Sequence, residues 1–343
     1  MENYKYLIRI PNHLGDSIMA LPAVKAFLSS KQNDNTALLL PEWAKPVYRN
    51  LKTKFLLAPS DKLHGLTAIT FQTKLLRKYK IDNGILLTPS FSSALIMFIG
   101  GIKNRYGYTD DNQNFLLNKS ISLPKGEIQH RSEKYKLLLE KTANNNLKIS
   151  APKITVPDSH KFDTSKLLNK SRIDNNQKYI VIAPQAIAES RRWGTDNYST
   201  LAHKIVQNYD FKIILVGTSD QYETAQKIVK NEQKILNLCG QTNIEQAASV
   251  LAGAKLFIGN DSGLAHLASA VDIPLLILSG ADNPKETSPI SNKKTVIIKE
   301  NLECISCVKN VCTKSDTEFM LCMKQISVNE VLAAISESIF TEK

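Results

Sequence analysis

Short apolar runs recur along the chain, each followed by a stretch with helical spacing, and this alternation restricts the fold more than any other feature. Tyr6-Leu-Ile-Arg-Ile10 is the first run, and the residues from Ser17 to Leu28 behind it repeat their apolar positions at helical intervals. Ala37 to Leu40 and Asn83 to Leu87 continue the series, and Tyr179-Ile-Val-Ile-Ala183 restarts it. Lys212-Ile-Ile-Leu-Val216 follows a helical stretch from Asn197 to Tyr209, and Lys255 to Gly259 and Pro274-Leu-Leu-Ile-Leu278 come later. Strands that alternate with helices need crossover connections, which give parallel sheets covered by helices on both faces. At 343 residues the chain also exceeds what one core fills. The expected fold is therefore α/β, with two doubly wound domains facing each other across a cleft.

Residues 158 to 178 are polar, charged and rich in Asn and Lys, which suits an interdomain connection. The expected domains are 1–165 and 166–325, followed by a terminal helix in 326–343. A hydrophobic fraction of 43% with 22% charged residues is that of a globular protein. The N-terminal YKYLIRI lacks a long apolar stretch followed by small residues, and Ala94 to Ile102 is about half the length that spans a bilayer. A cytoplasmic protein is expected. Lys plus Arg exceed Asp plus Glu by 44 − 32 = 12, which favours polyanionic partners such as phosphorylated substrates or an anionic membrane face. No zinc-finger, RNP-type or KH-type pattern occurs, so nucleic acid is not an expected partner.

Open α/β sheets bind ligands beyond the carboxyl ends of their strands. Two polar junctions fall there, Gly15-Asp16 in the first half and Asn260-Asp261-Ser262-Gly263 in the second. A Ser or Asp at a helix start is ordinarily an N-cap. Gly263 adds close access to the free backbone N–H groups, which together with the helix dipole favour a phosphate. His266, about one turn on, either faces a ligand or is a structural histidine. Asp16 either caps the next helix or accepts a proton as general base. Pro22 supports a fresh helix start downstream of that loop. Pro11 to Asp16 holds one glycine and no G-x-G-x-x-G spacing, so a dinucleotide fingerprint is absent.

A third junction follows Tyr179–Ala183 and delivers Arg191-Arg192-Trp193. Arginine keeps its charge and grips phosphate oxygens bidentately, whereas a solvated pair before a helix is the plain alternative. Late in the chain Cys304, Cys307, Cys312 and Cys322 form C-x2-C-x4-C-x9-C, with Cys239 apart. Four thiols could hold zinc, but no second C-x2-C follows and no His occurs after His266, so no metal is expected.

Taken in order, these segments resemble the ADP-heptose:lipopolysaccharide heptosyltransferases of glycosyltransferase family 9. The resemblance covers nearly the whole chain. It rests on Gly15-Asp16 with Pro22, on SFSSALIMFIGGIKNRYGY from Ser90 to Tyr108, on Arg191-Arg192-Trp193, and on Val216-Gly217. The strongest part is Gly259-Asn-Asp-Ser-Gly-Leu-Ala-His-Leu-Ala268 followed by Gly280-Ala-Asp-Asn-Pro284. It implies a GT-B fold of two Rossmann-like domains, with the acceptor on the N-terminal domain, the nucleotide-sugar on the C-terminal one, and the final helix packed back on the N-terminal domain. It further implies inverting, metal-independent transfer with no cofactor. Asp16 would be the base, and Arg191 would stand where a Lys usually neutralises the leaving diphosphate. Arg192, Asp261, Ser262, Gly263 and His266 would serve the donor, and Asp220 and Glu223 are both candidates for the nucleoside. The implied partners are ADP-heptose, a lipid-linked phosphorylated oligosaccharide acceptor and the anionic inner-membrane surface, on whose inner face the enzyme would lie peripherally. The cysteine-rich segment, which the family often carries, is expected to be structural.

Three departures fall on the donor loop: Gly194 replaces the usual Pro, Gln185 a usual Gly, and small hydroxyl residues near position 187 are apolar here. They keep three alternatives in view. A GT-B enzyme with another donor sugar or an epimerase is the first pair; a non-catalytic nucleotide-binding module is the third. Transfer that depends on a saccharide acceptor separates them.

Overall fold

The structure is a computed structural model and describes residues 2–30, 35–109, 115–123, 128–157 and 177–340. The chain divides into two compact units, Met1–Pro152 and Lys153–Lys343. The expected boundary at 165/166, and most of the polar connection around it, lies outside the described residues.

In the first unit the described strands are β1 (Asn3–Arg9), β2 (Thr36–Pro41), β3 (Lys54–Ala58), β4 (Lys80–Leu86), β5 (Asn104–Tyr108) and β6 (Lys119–Ile121). They form one parallel sheet in the order β3-β2-β1-β4-β5-β6. The second unit repeats the plan with β7 (Tyr179–Ala183), β8 (Lys212–Leu215), β9 (Ile235–Asn237), β10 (Leu256–Asn260), β11 (Leu275–Leu278) and β12 (Lys294–Ile297). Its order, β12-β11-β10-β7-β8-β9, is the same doubly wound path. In each sheet the winding reverses beside the first strand, so the loop after β1 neighbours the loop after β4, and the loop after β7 neighbours the loop after β10. Ligands of such sheets bind at these switch points.

Helices cover both faces of a parallel sheet, which is why β2, β7 and β10 are buried at every position and are largely apolar. Leu7, Leu39, Leu56, Ile81 and Met97 build the first core. Ile180, Ile182, Ile213, Leu215, Ile258 and Leu276 build the second. Each such side chain contributes about 1.5–3 kcal/mol by leaving water.

Two expectations need correction. The terminal helix, Val328–Phe340, packs in the second unit: Val331 and Ile335 are fully buried in its core beside Trp193, Tyr198 and Leu201. Its apolar face finds that partner because Trp193 Nε1 donates to Ile326 O at 2.8 Å and fixes the entry of the helix. Pro22 does not mark a helix start. The helix runs Leu14–Leu28 with Pro22 inside it. Proline removes one internal hydrogen bond, and burial of Ile18, Met19, Leu21, Val24 and Phe27 along the same helix outweighs that loss.

Candidate active site

At the switch point of the second sheet, Ala183 of β7 lies opposite Gly259 of β10. Beyond the two strands Arg191 and Asp261 therefore meet, although 70 residues separate them in sequence. Beyond β7, Glu189–Arg191 forms a 3₁₀ turn that presents Arg191. Beyond β10 come Asp261 and then the helix Gly263–Ala270. Arg191 Nη1 approaches Asp261 Oδ2 at 3.4 Å, with the Asp261 side chain 3% exposed. Thr287 Oγ1 donates to the same Oδ2 at 2.7 Å. Oδ1 makes no hydrogen bond, and His266 Nε2 stands 3.5 Å from it. Burial pushes the Asp261 carboxyl up, but His266, the Thr287 hydroxyl and Arg191 outweigh it and hold the group below its ordinary value. It is an anion in this setting.

A second buried carboxylate, Asp282, accepts from Ser279 Oγ at 2.6 Å and from the Gly280 N–H at 3.1 Å. Burial, then the Asp261 charge, raise its proton affinity. Ser262 occupies the N-cap position of Gly263–Ala270, yet its hydroxyl caps nothing and is buried without a hydrogen bond. Arg191 Nε is likewise buried without an acceptor. Two orphaned donors beside the free N–H groups of a helix start make an anion-binding arrangement.

In the first unit, Asp16 lies in the first turn of Leu14–Leu28, the helix that follows β1. It does not cap that helix: its Oδ1 accepts from Arg131 Nη1 at 2.7 Å and from Tyr135 Oη at 3.0 Å. Both partners stand on the helix Arg131–Ala143, which packs against Leu14–Leu28. Burial first, then the Asp16 charge, push the Tyr135 hydroxyl well above its ordinary value, so it remains a donor. The loop between β1 and Asp16 is fixed from beneath by Arg9, which is 2% exposed. Arg9 Nη2 donates to Asn12 Oδ1 at 2.7 Å and Nη1 to Ile10 O at 2.9 Å. Burial lowers its pKa to about 10, which leaves it cationic at neutral pH.

The structure thus joins Arg191, Asp261, Ser262, Gly263 and His266 at one switch point, and places Asp16 at the other. Asp261, expected to serve the donor, is buried and engaged with Arg191 and Thr287. Arg192 stands apart from the cluster, because its guanidinium folds back on Ala186 O at 2.8 Å and Ile187 O at 3.4 Å. Asp220, on the 3₁₀ turn Ser219–Gln221 after β8, and Glu223, in the first turn of the helix Tyr222–Val229, are both exposed. Sequence reasoning missed Arg9, Arg131, Tyr135, Asp282 and Thr287. Arg9 left a signal, a cation inside an apolar strand; Asp282 lay inside a quoted segment. Arg131 and Tyr135 left none, since only the packing of two distant helices brings them to Asp16.

Comparison with known proteins places the chain in a family. The profile of glycosyltransferase family 9 (heptosyltransferase) matches residues 71–317. The chain is 28% identical over 308 residues to lipopolysaccharide heptosyltransferase 2 of Salmonella typhimurium, covering 85% of this chain and 87% of that relative. With lipooligosaccharide heptosyltransferase 2 of Campylobacter jejuni the identity is 25% over 339 residues, or 97% and 98% of the two chains. The solved structure of E. coli ADP-heptose LPS heptosyltransferase II matches with a TM-score of 0.79 at 25% identity, covering 98% of this chain and 99% of that one. The two doubly wound units are those of the GT-B fold that such neighbours share. With the family profile spanning most of its length, the chain belongs to glycosyltransferase family 9, the heptosyltransferases, and is a glycosyltransferase.

Proposed function

We propose that the protein transfers heptose from ADP-heptose to the inner core of lipopolysaccharide, with inversion and without a metal ion. The observation that carries this reading is the pairing of half-buried Arg191 with buried Asp261, with two unsatisfied donors, Arg191 Nε and Ser262 Oγ, at a helix start. That chemistry suits a diphosphate. The donor and acceptor classes are supported by the relatives, which are heptosyltransferases of lipopolysaccharide or lipooligosaccharide, and by the ADP-heptose enzyme of similar fold.

In this reading Asp16 takes the proton of the acceptor hydroxyl through Oδ2, while Arg131 and Tyr135 hold Oδ1. The acceptor oxygen bonds to the anomeric carbon as the bond from that carbon to the β-phosphate oxygen breaks, and ADP leaves with the electron pair. Arg191 faces the charge that grows on the diphosphate, joined by the Ser262 hydroxyl and the backbone N–H groups that open Gly263–Ala270. A fixed cation and aimed donors stabilise such charge as a metal ion would. Asp261 and Thr287 act by fixing Arg191, and His266 by flanking Asp261. Arg192 stiffens the loop, and the turn carrying Asp220 with the helix start carrying Glu223 receives the nucleoside. The acceptor, a lipid-linked phosphorylated oligosaccharide, is taken by the first unit. No helix among the described residues is long and apolar enough to cross a membrane. The exposed Lys74, Arg77, Lys78 and Lys80 instead offer peripheral docking on an anionic leaflet.

Incubation with ADP-heptose and a panel of truncated core acceptors, with a chelator present, tests the proposal by mass spectrometry. One heptosyl unit should be added to one acceptor, and ADP released. An altered sugar-nucleotide formed without acceptor would make the protein an epimerase instead. ADP binding with no turnover of any activated sugar would leave a binding module.

A further inference from the structure

The four late cysteines lie in a segment fastened to both donor loops. Cys304, Cys307, Cys312 and Cys322 are free thiols, and Cys307 is exposed. Between the first three, the backbone reaches across to the turn that precedes Asp282. The Ser306 N–H donates to Gly280 O at 3.0 Å, and the Val308 N–H donates to Ala281 O at 2.7 Å. Two residues later the same segment grips the residue before Arg191. The Ser190 N–H donates to Asn310 O at 3.1 Å, and the Ser190 hydroxyl donates to Lys309 O. Ser190 is 2% exposed, so both its polar groups are committed to this segment and sealed from water.

The segment is itself held under constraint. Ser306 and Val308 have φ of 56° and 57°, left-handed backbone that is unfavourable for a β-branched residue such as Val308. Such backbone persists where surrounding contacts over-determine it. At the far end the Met320 N–H donates to Cys312 Sγ at 3.3 Å. Cys322 and Met323 press on Gly280 so closely that a Cβ there would stand 3.0 Å from the Cys322 sulfur and 2.5 Å from the Met323 sulfur. Burial, then the neighbouring Cys304, raise the Cys322 pKa to about 11, with smaller contributions from Cys307 and Cys312.

We propose that the segment Cys304–Cys312 is a strap that positions Arg191, acting through Ser190 as a positioning residue. An arginine side chain is long and free to rotate, and its use on a developing charge depends on that freedom being lost beforehand. Asp261 restrains the guanidinium at its tip. The strap restrains the backbone at its root, and the same strap fixes the Gly280–Ala281 turn. The proposal rests on the reading of Arg191 as the group that meets the donor diphosphate.

The test uses the full chain and compares Ser190→Ala, Ser190→Thr, Arg191→Gln and the double variant Ser190→Ala/Arg191→Gln. Transfer from ADP-heptose, the KM for the acceptor and the melting temperature are measured for each. Ser190→Ala should lower kcat about tenfold, with acceptor KM and melting temperature near wild type, and Ser190→Thr, which keeps the hydroxyl, should recover most of the rate. In the Arg191→Gln background the same Ser190→Ala change should alter kcat less than about twofold, because the two residues act along one path. An equal tenfold loss in both backgrounds, or a lowered melting temperature with unchanged kcat, would overturn the strap. A slow Arg191→Gln enzyme beside a normal Ser190→Ala enzyme sinks the strap alone; a normal Arg191→Gln enzyme sinks the reading of Arg191 and the strap with it. Should Ser190→Ala fail to fold, Cys312→Ala, which removes the sulfur that holds Met320, carries the same expectation and the same contrary outcomes.

Discussion

Gly194 has a φ of 101°, a backbone conformation closed to proline, although proline is the usual residue at this place in the family it resembled. The loop that carries Arg191 and Arg192 leaves Trp193 by a turn that needs this left-handed glycine. Gly194→Pro should lower stability by about 1–3 kcal/mol, because the ring would force that turn to rebuild. An unchanged melting temperature would show that the loop adopts both turns freely. Arg191 itself should be sensitive to charge more than to shape. Arg191→Gln is expected to slow transfer by about 10²–10³, the scale for losing one preorganised donor, while Arg191→Lys keeps substantial rate. Steady-state kinetics on both variants checks this, and near-normal turnover by the Gln variant would move the role to the helix start. The identity of Arg191 was legible in the sequence, because two arginines followed an apolar strand. Its pairing with Asp261 was not, since that depends on β7 and β10 being neighbours.

Among the elements, the turn after β11 carries the clearest electrostatic consequence. Asp282 is held above its ordinary value near 3.8 by burial and by the Asp261 charge, so the folded state binds its proton more tightly than the unfolded chain does. Stability is then lost as pH rises above about 4 toward the raised value. Asp282→Asn keeps an oxygen for the Gly280 N–H and removes the charge. The variant should melt above wild type at pH 7, with the gap closing as pH falls toward 4; equal melting temperatures at pH 7 would contradict this. Asp261, held low, has the opposite sign, its contribution being lost as pH falls below about 3.8. The element pattern shows what could be read early. Tyr179–Ala183 was found at its true bounds because five consecutive buried residues leave an unmistakable run. β5, with the sequence NRYGY, and β6, with KSI, escaped notice because neither is apolar. Sheet pairing alone makes them strands. The terminal helix was located correctly but assigned to the wrong core, because its apolar face does not encode its partner.

At the scale of the whole molecule, a formal charge of +12 gives the chain a long-range attraction for anionic surfaces. In the first unit Lys74, Arg77, Lys78 and Lys80 are all exposed, and Phe98 and Ile99 beside them are 51% and 36% exposed. Arg77 Nε donates to Ile99 O at 3.2 Å, which ties the basic and apolar parts into one patch. Binding to vesicles containing anionic lipid should be strong at low salt and fade as salt rises, each basic residue near the surface adding about 1 kcal/mol. Equal binding at low and high salt, measured by co-sedimentation, would leave the patch an ordinary solvated face. In the proposed reaction the second unit holds and stabilises the donor, and the first supplies the base. Asp16 is where that division is most exposed to test, because Asn keeps the size of the side chain and an oxygen for Arg131 or Tyr135, yet cannot take a proton. The decisive measurement is the single-turnover rate of heptosyl transfer by Asp16→Asn at saturating ADP-heptose, with ADP affinity taken on the same preparation. The rate should fall by about 10²–10⁴ while ADP affinity stays at the wild-type value. A folded Asp16→Asn protein that transfers at the wild-type rate would contradict the assignment of Asp16 as base.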